Sequence, residues 1–423
     1  MSKYNEGKPE NPATRTSISE SESLKDKAFN TPLQRAELKR TFRLDVIAAI
    51  LFSTYGVAII SFPAVLARKE GGSDFIISLV ISAPAIGQLS TILWAHYTQQ
   101  FPKMKVMVFL GSAARLSLAL VFFAFQPWLF AVIMMICLTL ELSISPAYEG
   151  IMQGVYPDSQ RGIYMGMVRV ISSIATVICA FLLGVILENS SFREVYPFVA
   201  LLGFGSILVF SRIHYKEVKS TRPPVTLKAI IMLAGRDKKY GLFLRTVFIM
   251  VFFNLLAAAV YPLIMVDDLH VSNSFVGIMN ALQSLVAILS YYFWGRFIDR
   301  HHPALILYIT FILGALVIFI YMVAWNYLLL LPVALLTGII TAGADLANIN
   351  NAIRFAEDKQ DVPQYIALYS SLVGVRGVIA PFLATFLLFF MNARMVLLIA
   401  FIGITLGCIN FYRVRKKLLD PTE

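Results

Sequence analysis

The sequence predicts an all-α membrane protein whose twelve transmembrane helices form two pseudo-symmetric six-helix bundles. Apolar stretches long enough to cross a bilayer follow one another from about Leu44 to Tyr412, with short polar breaks between them. A spanning helix needs about 20 mostly apolar residues at 1.5 Å each to cover ~30 Å of hydrocarbon. The composition agrees: 58% of residues are hydrophobic, 14% are charged, and the mean hydropathy is +0.73. A soluble domain has no way to cover that much apolar surface. The third observation is an internal echo between the two halves of the chain.

Taken in order, residues 1–30 are polar and rich in Ser, Lys and Glu, with no apolar core of a signal peptide. They are expected to be disordered in part. Thr31-Pro32-Leu33-Gln34 reads as a helix start, with Pro at the first helical position and Gln at the capping-box position. The spans then fall near 45–66, 75–97, 105–125, 128–153, 163–187 and 196–212. After the polar stretch Arg212 to Tyr240, with Pro223-Pro224 and eight Lys or Arg, come 241–265, 274–297, 304–323, 326–355, 364–391 and 394–412. The expected domains are therefore a tail (1–40), a first bundle (41–212), a central loop (213–239), a second bundle (240–413) and a short tail (414–423).

The formal net charge is +11. Numbering the spans with the N-terminus inside, the inside segments hold 27 Lys and Arg, the outside loops four (Arg68, Lys69, Arg193 and Arg394), and five lie within spans. An excess on one side sets orientation, so both termini are expected in the cytoplasm, and a nucleic-acid partner is not. Cys137, Cys179 and Cys408 all lie in apolar spans and carry no metal spacing. The five histidines lie in or beside loops, and there is no phosphate-cradling G-x-x-x-x-G-K-[ST] loop. No enzyme, cofactor or metal site is expected.

The halves echo each other at an offset near 200 residues. Tyr55 precedes Pro63 by eight positions, as Asn254 precedes Pro262. Trp94-Ala95 answers Trp294-Gly295, and Glu141 in the fourth span answers Asp345 in the tenth. Parallel six-span halves are one repeat scheme of secondary transporters, with the site at the repeat interface.

Gly295-Arg296-Phe297-Ile298-Asp299-Arg300, after the eighth span, resembles the G-x-x-x-D-R loop signature of the major facilitator superfamily. The twelve spans and basic central loop resemble that family over nearly the whole chain. The equivalent first-half loop departs from it, reading Ala95-His96-Tyr97-Thr98-Gln99-Gln100. The fifth span also lacks the Gly-Pro pattern of the family's drug–proton antiporters, while Gly374 to Pro381 in the eleventh carries a similar element. The resemblance implies that spans one, four, seven and ten line a central cavity.

Ionisable residues within spans cost about 2.5–3.5 kcal/mol on insertion scales, so they face the bundle interior or water. The deep ones are Arg115, Glu141, Arg169, Asp345 and Arg376. Thr337, Thr341, Asp345 and Asn348 form one stripe on the tenth helix, and Glu141, Ser145, Tyr148 and Glu149 form one on the fourth. Tyr55, Asn254 and Tyr261 would join them from the first and seventh spans. For Glu141 and Asp345 lining of the cavity is favoured over plain pairing with an arginine. For Arg115 and Arg169 pairing is favoured, because the resemblance makes the third and fifth spans support helices. For Arg376 both readings stand. Desolvation disfavours a charged carboxylate, so Glu141 and Asp345 are also the candidate proton carriers. Gly295, Asp299 and Arg300 would form a cytoplasmic gate: Gly for close helix approach, Asp299 at a neighbouring helix N-terminus, Arg300 on a carboxylate.

The resemblance thus implies a secondary active transporter in the plasma (inner) membrane, a monomer embedded in lipid. It would move a small organic solute by alternating access, coupled to protons, with export by antiport favoured over import by symport. A transport-inactive receptor or scaffold on the same fold is the alternative.

Overall fold

The computed structural model describes residues 32–98, 101–157, 160–215, 236–355 and 362–419. Most of the N-terminal tail and of the central loop lies outside the described residues. The first helix begins at Pro32, as its sequence suggests, and runs unbroken to Ile60. There it stops, and Pro63 opens a short continuation, Pro63–Lys69. Proline lacks an N–H and clashes with the preceding turn, so it starts helices rather than continuing them. The seventh span repeats the device: Lys238–Ala258 ends and Tyr261–Leu263 restarts with Pro262, passing into a π-helical turn Ile264–Asp268. The paired prolines that mark the internal echo therefore break equivalent helices at equivalent ends.

The remaining spans follow in order. The second is Asp74–Thr98, and the third is Lys103–Ser117 with a 3-10 extension Leu118–Phe123. The fourth is Pro127–Ser143 continued by Ser145–Val155, the fifth Arg161–Asn189, the sixth Phe192–Phe210. The eighth is Asn273–Ile298, the ninth Pro303–Val323, the tenth Leu331–Phe355, the eleventh Val362–Leu388 and the twelfth Ala393–Leu419. Ten of the twelve are long and apolar enough to cross a bilayer, and the second and fourth supply shorter apolar stretches, Asp74–Ser90 and Pro127–Ser143. The protein is a multi-pass integral membrane protein, all-helical among the described residues.

An even number of spans puts both ends of the chain on one face, here called the terminal face; the other is the loop face. Within the first half the first span packs on the fifth and sixth, the second on the fourth, and the third on the fourth and sixth. Within the second half the seventh packs on the eleventh and twelfth, the eighth on the tenth, and the ninth on the tenth and twelfth. The halves meet where the fifth span crosses the eighth and the second crosses the eleventh. Exposed large apolar side chains such as Phe181, Leu285, Phe293 and Leu406 stud the outside of the bundle, where lipid rather than water is the solvent.

Candidate functional site

At the loop face the two halves are locked together. The Arg68 Nε donates to Asp267 Oδ1 across the halves at 2.9 Å, and Arg68 Nη1 donates to Asp74 at 2.9 Å. The Asp267 carboxylate hydrogen-bonded to Arg68 holds that guanidinium above its ordinary range. Lys69 Nζ reaches Asn273 Oδ1 at 2.9 Å, and burial pulls its ammonium below the ordinary lysine value despite the pull of Glu188. Glu188 in turn accepts from the Asn273 backbone N–H at 2.5 Å. Just inside this layer Gly184 and Gly277 bring the fifth and eighth backbones into contact. A Cβ on Gly184 would lie 2.8 Å from the Gly277 Cα, and one on Gly277 would lie 2.6 Å from the Ala180 carbonyl oxygen. Ser78 completes the seal, donating to the Pro381 carbonyl at 2.8 Å.

Further toward the terminal face the same two helices part around a polar cluster. Tyr291 donates to Asp345 Oδ2 at 2.5 Å, and Arg169 Nη2 stands 3.5 Å from the same oxygen. The Arg169 guanidinium lies 5.7 Å from the Tyr291 ring centroid, and Gln283 Nε2 donates to Thr341 Oγ1 at 3.4 Å. The Arg169 side chain is 72% exposed and that of Asp345 46%. Asp345 is ten residues from the end of its helix, about 15 Å at 1.5 Å per residue. Charges at that depth do not face lipid, so this exposure is to a water-filled cleft between the halves.

Not every sequence candidate reaches the cleft. Asp345 and Thr341 do, and Ser145 is exposed; Asn348 is half-buried, its Oδ1 without a partner. Arg169, assigned from sequence to a support helix, is the first half's contribution to the cluster. Glu141 turns into the first bundle, where Arg115 Nη2 donates to it at 3.2 Å and Tyr55 Oη at 3.3 Å. The Tyr55 ring is wholly buried, lying where a Cβ on Gly203 would sit 2.8 Å from it. Tyr148 packs on Phe210 within the same bundle. Asn254 and Tyr261 face the ninth span instead of the cleft. Asn254 lies over Gly314, whose missing Cβ makes room for it, and Tyr261 stacks on Tyr321 at 4.0 Å. Arg376 is buried between the seventh and eleventh spans, among the rings of Phe248 and Tyr369.

The signature loop also departs from its expected mechanics. A Cβ on Gly295 would meet nothing within 4 Å, so this glycine permits no close approach here. Asp299 and Arg300 are exposed at the terminal face and make no side-chain bond to a described residue. His302, one of the histidines beside a loop, is half-buried: its Nδ1 accepts from the Ala304 N–H and caps the ninth helix. Burial, with Arg354 adding to it, pulls its imidazole down to about 4, which keeps it a neutral acceptor.

Two bundles sealed at one face and parted around a polar cluster are the geometry of an alternating-access carrier. The model of the Major Facilitator Superfamily matches residues 44–252 and 242–422, nearly the whole chain. The protein belongs to the major facilitator superfamily. Solved structures agree on the fold. The nucleoside transporter NupG superposes with a TM-score of 0.67 at 10% identity, covering 90% of this chain and 99% of that one. A bacterial homolog of the human lysosomal transporter Spinster, inward-facing and unoccupied, gives 0.65 at 11% identity over 93% and 100%. A POT family transporter in complex with a thioalcohol-conjugated peptide gives 0.68 at 11% identity over 90% and 96%. No curated protein sequence matches the chain. As a facilitator-superfamily member it is a secondary transporter of small solutes.

Proposed function

We propose that this protein exports a small organic solute in exchange for protons, with Asp345 as the exchange site and the terminal face toward the cytoplasm. The observation that carries the reading is the Arg169–Asp345–Tyr291 cluster, which joins the two halves inside the cleft while the loop face is sealed. Arg169 belongs to the fifth span and Asp345 to the tenth, so their ion pair ties the moving halves together. A proton on Asp345 removes the charge that holds Arg169 and frees both groups. A solute whose donor group engages the Asp345 carboxylate competes with a proton for it, and that competition couples opposite movements of the two. A ligand shifts a two-state equilibrium only by binding the states unequally, and a site that closure reshapes does so. The Lys and Arg bias toward the terminal-face segments supports a cytoplasmic terminal face. On this proposal Glu141, fixed by Arg115 and Tyr55, braces the first bundle and carries no proton.

The test is flux in proteoliposomes with an imposed pH gradient, using a solute first found by its stabilisation of the purified protein. Asp345→Asn is expected to cut gradient-driven flux at least tenfold and flatten its pH dependence, with protein yield and melting temperature near wild type. A variant with wild-type flux and pH response removes Asp345 from the mechanism.

A further inference from the structure

Two of the three arginines deep in the spans have a carboxylate beside them: Arg115 has Glu141 at 3.2 Å, and Arg169 has Asp345 at 3.5 Å. Arg376 has none among the described residues. It is 1% exposed, and its Nε and Nη2 are buried without a hydrogen-bond partner. Its helix runs Val362–Leu388, which puts Arg376 about 20 Å from either end at 1.5 Å per residue. A guanidinium keeps its charge in any protein setting, and an uncompensated buried ion is destabilising.

The surroundings are incomplete in a specific way. The Tyr369 and Phe248 ring centroids lie 5.4 and 5.9 Å from the guanidinium carbon. Aromatic faces attract a cation, and the Tyr369 side chain gives the guanidinium one hydrogen-bond partner, which leaves Nε and Nη2 without any. What fits two orphaned, parallel guanidinium donors is an oxyanion taken in bidentate fashion. Gly374 and Gly377 press another side of the helix onto Leu89 and Ala85 of the second span. The Arg376 side is left facing the seventh span across two rings that are only half-buried. Those rings are the cover that has to turn for a ligand to enter.

We infer that the transported solute carries, separate from the donor group that competes for Asp345, a carboxylate or phosphate group, and that Arg376 receives it between Tyr369 and Phe248. This rests on the transport reading above and adds the solute's charge class to it.

The test uses the purified full-length protein in detergent and follows thermal unfolding at constant ionic strength. Inorganic phosphate and succinate serve as oxyanion probes, glucose and uridine as neutral ones, and choline as the cationic one. Phosphate or succinate is expected to raise the melting temperature of the wild type. Arg376→Gln should weaken that binding about tenfold or more, the worth of a charge-assisted hydrogen-bond pair, and Arg376→Lys should weaken it less. Without ligand Arg376→Gln should unfold at or above the wild-type temperature, because an unpaired buried charge has been removed. A Gln variant that melts lower than wild type while its oxyanion response is unchanged assigns Arg376 to structure and overturns the inference. Stabilisation by neutral or cationic probes alone overturns it too, yet leaves the transport reading standing. No stabilisation by phosphate or succinate overturns the inference, while the transport reading stands or falls on the Asp345→Asn flux.

Discussion

Arg115 and Asp345 both sit in arginine–carboxylate pairs within the spans, but their surroundings give them opposite roles. The Arg115 side chain is 4% exposed and that of its partner Glu141 11%, with the Phe52 and Tyr55 rings within 5.4 Å of the guanidinium. Breaking such a pair leaves one charge buried alone, at a cost of about 3–5 kcal/mol, whereas replacing both partners by apolar groups is close to neutral. Glu141→Gln and Arg115→Met should therefore each lower the melting temperature and yield, and the double variant should recover most of the loss. The exposed Arg169–Asp345 pair lies in water and contributes about 1 kcal/mol or less. Its removal should cost transport and spare stability. Unfolding midpoints in detergent separate the two cases, and a stable Glu141→Gln protein with flux lost would give Glu141 the role assigned here to Asp345.

Helices were legible in the sequence to the extent that their own residues decide their shape. Period and length give the twelve spans, and Pro63 and Pro262 give the breaks, because these effects are local to one segment. The stripe from Thr341 to Asp345 was legible for the same reason. Which way a lone polar residue turns is decided elsewhere: Asn254 follows the space left by Gly314, sixty positions on, and Tyr261 follows Tyr321. Tyr291 was missed because an aromatic near a span end looks like an interfacial anchor. Its place becomes visible once the Gly277 contact orients the helix, since Gly277, Asn280, Ser284 and Tyr291 share one face at helical spacing. The Gly184–Gly277 crossing is the hinge-side contact of that face. With a Cβ 2.6–2.9 Å from facing backbone, Gly184→Ala or Gly277→Ala is expected to push the loop face open. The measurement is labelling of a cysteine at Asn280 from the loop side, which should rise several-fold. Unchanged labelling in both variants would mean the crossing tolerates separation without opening the face.

For the molecule as a whole, the question is what holds the loop face shut while the terminal face stands open. The Gly184–Gly277 crossing is shape, but Arg68 and Asp267 are a charge choice made between the halves. Arg68 is drawn the other way by Asp74 within its own half, so loss of Asp267 leaves Arg68 a partner and releases the second half cleanly. Both side chains are partly exposed, which limits the cross-half bond to about 1 kcal/mol, and that is roughly a fivefold change in the ratio of the two states. Asp267→Arg should therefore move the population toward the loop-open state by at least that factor, with like charges now facing across the seal. Arg68→Asp should do the same, and the double exchange, which restores attraction with reversed polarity, should return most of the closed population. The reporter is again a cysteine at Asn280, labelled in intact cells with an impermeant reagent. A cysteine at Thr221 in the central loop, reacting only after permeabilisation, fixes which face is cytoplasmic. Labelling that rises in both single variants and falls back in the double one identifies the pair as part of the gate. If the double variant stays as open as the singles, Arg68 and Asp267 act independently and the seal belongs to the glycine crossing alone.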